Sequence, residues 1–230
     1  MGLYSIHSFH GISMSLLECT LPLFPLGVVL FPNAVLPLRI FEERYKLMIQ
    51  RCLKGDSKFG VVLIKSGAEI GDPAEPHAIG TVAHIAQASP LENGEMLLAV
   101  TGTQRFLIKR VTQRLPYLES QVELLSEETE ISLSNQEMQH VRDAVSDYER
   151  LLAGLSGGWI RQADMPQDPV ALSYFVPGLL DLHALAKQHL LEEPSPSRRL
   201  ATELQLLRQA SVVTRRKVER RLGKSSFGRN

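Results

Sequence analysis

Cysteine is scarce in this chain: Cys19 and Cys52 are the only two among 230 residues, and no C-x-x-C occurs. That excludes a disulfide framework and the usual cysteine-rich zinc or dithiol motifs, and it fits a reducing, cytoplasmic setting. An excess of charge is also missing, since 25 Lys+Arg balance 25 Asp+Glu. No global field draws in nucleic acid or an anionic membrane, so neither is an expected partner. The opening MGLYSIHSFHGISMSLL lacks a basic n-region and a small-residue cleavage site, and Ile6 stands where myristoylation wants Ser or Thr. Residues 1–18 are therefore expected to form a loosely held leader.

A proline-free apolar run is lacking too. Leu21 to Leu38 reads LPLFPLGVVLFPNAVLPL, eighteen residues without a charge but with four prolines. Each interior proline costs a helix about 3 kcal/mol, so this is no membrane helix. Extended chain tolerates proline at strand starts, edges and bulges. The run predicts buried strands at 21–24 and 27–31, a turn at Pro32-Asn33 and a further extended piece at 35–40.

What the chain does have is two textures. After Ile40, the residues Tyr45, Met48, Ile49, Cys52 and Leu53 recur at helical spacing, with Glu42 and Glu43 at the start, Arg51 and Lys54 at the end, and Gly55 as a left-handed cap. Cys52 on that apolar face reads as a packed thiol. Strand patterns follow at 59–64, 79–86, 95–100, 104–110 and 117–125. Asn93-Gly94 signals a hairpin and Thr101-Gly102-Thr103 a second reversal, giving a meander. Six or seven short strands with one helix make a small barrel over 19–126.

Near residue 127 the period changes to about 3.5. Ser134-Asn135-Gln136-Glu137 is a capping box ahead of Met138, Val141, Val145, Tyr148 and Leu152. Asp168-Pro169 opens a second helix, closed at Pro177-Gly178, and a third covers about 182–192. The last starts after Pro194-Ser195-Pro196-Ser197 and reaches Leu222, with Leu200, Leu204, Leu207, Ser211, Thr214 and Val218 as its seam. Residues 127–222 thus form a helical bundle, followed by a basic tail at 223–230.

Chemistry-bearing motifs do not gather. Gly154-Leu155-Ser156-Gly157-Gly158 matches the hydrolase nucleophile elbow, but a helix precedes the serine where a strand is required. Gly223-Lys224-Ser225 matches the end of a phosphate-binding loop, yet Val218 occupies the position of its first glycine. The seven histidines, His84, His183 and His189 among them, show no paired metal spacing. Glu127, Glu128 and Glu130 read as a solvated linker. Arg215, Arg216, Lys217, Arg220, Arg221, Lys224 and Arg229 stand against Glu219 alone, a solubilising run or a contact for RNA or an acidic partner. No catalytic constellation, metal site or cofactor is expected.

The segment LPLFPLGVVLFPNAVLPLRIFEERYKLMI closely resembles the start of the N-terminal substrate-recognition domain of Lon, the ATP-dependent protease. The resemblance continues through FGVV (59–62), IGTVAHI (79–85), GTQRF (102–106) and PYL (116–118), and more weakly through KQHLL (187–191) and SRRL (197–200), covering about 19–210. It implies an α+β architecture, a PUA-like β pseudobarrel with one helix followed by a C-terminal helical bundle. It also implies a non-catalytic module that binds unfolded or tagged protein segments, with an ATP-dependent protease as a further partner. Asn33 and Glu43 depart from the glycine and proline common in relatives. Neither the ATPase nor the serine–lysine peptidase pattern occurs in these 230 residues. The expected peptide-binding residues are Phe31, Pro32, Asn33, Phe41, Tyr45 and Phe106 as apolar contacts, with Arg39, Glu42 and Arg105 orienting the ligand. An RNA-binding module, a function other PUA-like barrels carry, is the alternative.

Overall fold

The computed structural model describes residues 18–68, 74–128, 132–156 and 164–226. Residues 1–17 of the expected leader lie outside them, and Glu18, its last residue, already belongs to a strand. The chain runs β1 (Glu18–Leu26), β2 (Val35–Ile40), α1 (Glu43–Lys54), β3 (Lys58–Ser66), β4 (Glu75–Pro76), β5 (Ile79–Pro90), β6 (Met96–Gln113) and β7 (Leu118–Leu124). Four helices follow: α2 (Asn135–Ser156), α3 (Pro169–Leu179), α4 (Ala184–Glu192) and α5 (Pro196–Ser226). The architecture is α+β, a sheet lobe before a helical lobe.

The sheet closes on itself. Its order is β1-β7-β6-β5-β3, and β3 returns to pair with β1. Residues 18–23 of β1 run antiparallel to β7, and residues 23–26 run parallel to β3, so Leu23 is shared by both ladders. A parallel pair needs a crossover, which β2 and α1 supply. Leu23, Val62, Val82, Phe106, Leu118 and Val122 fill one side of the wall. On the other side α1 inserts Tyr45, Met48, Ile49 and Cys52 against Phe24, Phe59 and Val100.

Several details differ from the sequence reading. Residues 27–31 form irregular chain rather than a strand, and β1 carries on through Pro25 to Leu26, two residues past the expected end at 24. Leu53 is exposed on the outer side of α1. Gly55 has φ −106°, and the left-handed residue is Ser57, at φ 58°. The predicted reversal at Thr101-Gly102-Thr103 does not occur, because β6 runs unbroken for 18 residues and pairs with β5 from Met96 to Leu107, straight across that stretch. Gly102 is required for another reason: a Cβ there would lie 2.2 Å from the Phe31 carbonyl oxygen. The 27–34 loop rests directly on β6, with Asn33 N–H donating to Gly102 O at 2.8 Å and Gly102 N–H to Ala34 O at 2.9 Å. Asn33 takes φ 66° to make that turn. Asn93-Gly94 does form the β5–β6 hairpin, with Gly94 at φ 75°.

In the helical lobe the capping box forms: Ser134 N–H donates to Glu137 Oε2 at 2.8 Å, and Glu137 N–H to Ser134 Oγ at 3.3 Å. Asp168 caps α3 through Ala171 N–H at 2.7 Å, but that helix continues through Pro177-Gly178 to Leu179. Helix α5 extends to Ser226, four residues beyond the expected end. Ser132 N–H bonds Ser197 Oγ at one end of the α2–α5 pair and Arg221 bonds Leu155 O at the other, so these two helices lie side by side in the same direction. Val141, Val145 and Tyr148 of α2 face Leu200 and Leu207 of α5 across that core. Basic side chains thus stand where two helix dipoles end together, which gives part of the basic run a structural role.

Candidate functional site: the lobe junction and the edge strand

Arg105 on β6 joins the two lobes. Its side chain is 1% exposed. The guanidinium pairs with Glu127 at 2.8 Å and donates to the carbonyls of Leu191 (2.9 Å) and Glu193 (3.2 Å), both at the C-terminal end of α4. Tyr174 of α3 donates to the same Glu127 at 2.5 Å. Burial raises the Tyr174 phenol above its ordinary value, so it remains a donor. Arg199 of α5 lies 4.1 Å over the Tyr174 ring and bonds Ser173 Oγ, Leu190 O and Glu193 O. Two fully buried guanidiniums, one from each lobe, thereby satisfy the same helix end. Phe31 packs beside them, its ring 6.3 Å from that of Tyr174, in a cluster with Leu190 and Leu191.

Next to this bolt opens a cleft of about 600 Å³ between the lobes. Pro32, Asn33 and Thr103 line its sheet side, and Glu127, Val170 and Tyr174 its helical side. From its mouth β2 leads away along the edge of the sheet. Asn33, Val35, Pro37, Arg39 and Phe41 are all exposed, while Leu36, Leu38 and Ile40 between them turn to the core. Val35 to Arg39 cover four residue steps of strand, roughly 13 Å, with Asn33 and Phe41 just beyond the two ends of β2. Val35 is 68% exposed, and Phe41 and Leu97, the latter opposite Arg39 on β6, are each 45% exposed. Exposed apolar side chains in a row carry more meaning than scattered ones. Arg39 is held across the strip by Glu95 at 2.5 Å.

The predicted site residues therefore separate into two groups. Asn33, Arg39 and Phe41 lie on the accessible strip, and Pro32 lines the cleft. Glu42 is half-buried at the start of α1, paired with Arg44 at 3.1 Å. Tyr45 and Phe106 are core side chains, Tyr45 stacked 4.1 Å from Phe24 and Phe106 fully enclosed by the barrel. These two cannot touch a ligand, because aromatic side chains were the material the barrel needed for its own core. Phe31 and Arg105 are buried as well, at the junction of the two lobes. Val35 and Leu97 were missed. The alternation of exposed and packed residues along 33–41 is the signal that could have found Val35, whereas Leu97 joins the strip only through the pairing of β6 with β2.

The comparisons with known proteins agree with this fold. The sequence pattern of the ATP-dependent protease La (Lon) substrate-binding domain matches residues 20–209. The chain belongs to the Lon substrate-binding domain family. A Lon N-terminal domain protein from Xanthomonas campestris superposes with a TM-score of 0.63 at 29% identity, over 81% of this chain and 97% of that one. The N-terminal domain of Mycobacterium avium complex Lon protease gives 0.59 at 17% identity, covering 82% and 98%, a likeness of fold alone. Among full proteases, Lon protease of Methylocella silvestris is 27% identical over 191 residues and Lon protease 2 of Myxococcus xanthus 27% over 200, covering 82% and 84% of this chain. The chain spans about a quarter of the length of these relatives (24% of each).

The remaining motifs have ordinary places in this Lon-family fold. Ser156 ends α2 and turns its hydroxyl back to Ala153 O at 3.1 Å. His183 caps α4 by accepting from Ala186 N–H at 3.2 Å. Burial pushes the Cys52 thiol up to about 11, as suits a packed group. Among the described residues no helix is long and apolar enough to cross a membrane.

Proposed function

We propose that this Lon substrate-binding domain is a non-catalytic cytoplasmic module that captures exposed apolar segments of unfolded proteins, or a protein partner in quality control. The observation that carries the reading is the strip Asn33, Val35, Pro37, Arg39 and Phe41, with Leu97 beside it, running out of the lobe cleft. Its proline and its strand pairing make it rigid before binding, so little conformational entropy is lost when a ligand settles on it. An ATP-dependent protease is the natural recipient of a client held this way.

The test is hydrogen exchange with and without an unfolded model protein, reading the intact mass of that protein in the same samples. Protection concentrated at 32–41 and 95–99 with no shortening of the client is the expected result. Absence of protection anywhere on the sheet lobe refutes capture. A shortened client refutes the non-catalytic assignment.

A further inference from the structure

Strand β2 pairs with β6 alone. The direction of its backbone groups follows from the register. Val35 stands opposite Thr101, and Gly102 N–H donates to Ala34 O while Ala34 N–H turns back to Phe31 O; that one bond makes 35 and 101 a non-hydrogen-bonded pair and 36 and 100 the first fully bonded one. In an antiparallel ladder bonded pairs recur every second residue, which sends the N–H and C=O groups of Leu36, Leu38 and Ile40 to β6. Those of Val35, Pro37 and Arg39 point away from the sheet. The other side of β6 agrees: Leu91 N–H bonds Glu95 O, which assigns the odd-numbered residues of that stretch to β5 and leaves the even ones for β2. Among the described residues, nothing bonds the outward groups of β2.

We propose, resting on the capture function above, that the client segment is taken up as an added β-strand along this free edge, paired with Val35 and Arg39 and bridging Pro37. The unmet groups choose this occupant. A helix has already spent its backbone donors and acceptors, whereas an extended segment offers both at the same two-residue repeat. Pro37 contributes a carbonyl without an N–H, so the edge presents two complete anchor points, at residues 35 and 39, around one incomplete one. Proline on an edge strand blocks open-ended pairing between like edges. The edge accordingly favours a short foreign strand over stacking of many copies. Side chains of that strand on the open face would continue the apolar row of Val35 and Leu97.

The experiment uses the full 230-residue protein and a fluorescein-labelled nine-residue peptide of alternating valine and threonine with a lysine at each end. Two variants of the peptide carry N-methyl groups, one on the valines and one on the threonines. The alternating pattern pins the register, since a one-residue slip would turn the valines to the wrong face. Strand addition predicts that one methylated set binds at least ten-fold more weakly while the other stays within two-fold of the parent. Pro37→Val, which restores the absent donor, should tighten parent binding at least three-fold. Equal sensitivity of both methylated sets overturns the proposal, as does binding of reduced, unfolded lactalbumin without binding of the peptide. Sedimentation of the free protein as a dimer that excludes the peptide assigns the edge to a second copy and also overturns it. Failure to bind either lactalbumin or peptide refutes the capture function itself, a different outcome from these.

Discussion

Replacing Arg105 with alanine should separate the lobes energetically before it affects the barrel. The guanidinium makes one ion pair and two hydrogen bonds to main-chain oxygens, all across the junction. Its removal leaves Leu191 O with no partner from Arg105, while Glu193 O keeps Arg199 at 2.6 Å and Glu127 keeps Tyr174. Breaking a buried pair by removing one member costs about 3–5 kcal/mol. Glu127 retains some access to solvent, with 24% of its side chain exposed, which places the expected loss near the lower end. At 2–4 °C per kcal/mol for a chain of this size, the melting temperature should fall by about 6–12 °C. Differential scanning calorimetry reads this directly. Arg105→Lys should fall between wild type and alanine, since a single ammonium replaces a planar fork reaching three acceptors. Arg39→Ala, which removes the exposed pair with Glu95, is the control and should leave the melting temperature unchanged. If Arg105→Ala melts within 2 °C of wild type, the buried guanidinium does not hold the lobes together and the junction must rest on Phe31 and its apolar neighbours.

Glu203 of α5 is buried, and neither side-chain oxygen has a hydrogen-bond partner. Burial raises its carboxyl well above the ordinary range, with Arg199 opposing that shift. A raised folded value means that stability is fully present below the unfolded carboxyl pKa of about 4.3 and is lost as pH climbs through the folded value. Glu203→Gln should therefore gain stability over wild type as pH rises from 5 to 8 in urea unfolding, and a pH-independent difference would contradict this. Gly102→Ala pushes a methyl group against the Phe31 carbonyl; overpacking of this kind costs about 1–3 kcal/mol. Hydrogen exchange at Asn33 and Ala34 should accelerate in that variant, and unchanged exchange there would show that the loop yields freely.

The helices were legible because their signals are local. Ser134 and Glu137 cap α2 as the S-x-x-E spacing dictates, and Asp168-Pro169 opens α3. Every misreading in the sheet came from contacts distant in sequence. Thr101-Gly102-Thr103 reads as a turn because glycine permits one, yet Gly102 serves a loop some seventy residues earlier by leaving room for its carbonyl. Tyr45 and Phe106 looked available as contacts because an aromatic side chain is equally suited to a core and to a binding surface. Arg105 looked like a ligand-orienting charge, and only the fold reveals that its acceptors are the end of α4. Conversely, the strip was partly visible: the alternation along 33–41 depends on the single β2–β6 pairing and on nothing more remote.

The two-sided pairing of β1 has a consequence for how the protein comes off the ribosome. Glu18 lies opposite Glu123 and Leu26 opposite Leu63, so the first strand waits for a neighbour made about a hundred residues later. Until residue 124 has been synthesised the ring cannot close, and the uncharged run from Leu21 to Leu38 remains without most of its cover. Pairings of such long range also fold slowly, because the loop between the strands must be ordered before any contact repays it. During its own synthesis the chain thus passes through an interval in which its longest uncharged run stands open, the kind of exposed apolar segment that its folded form later encloses in the barrel wall.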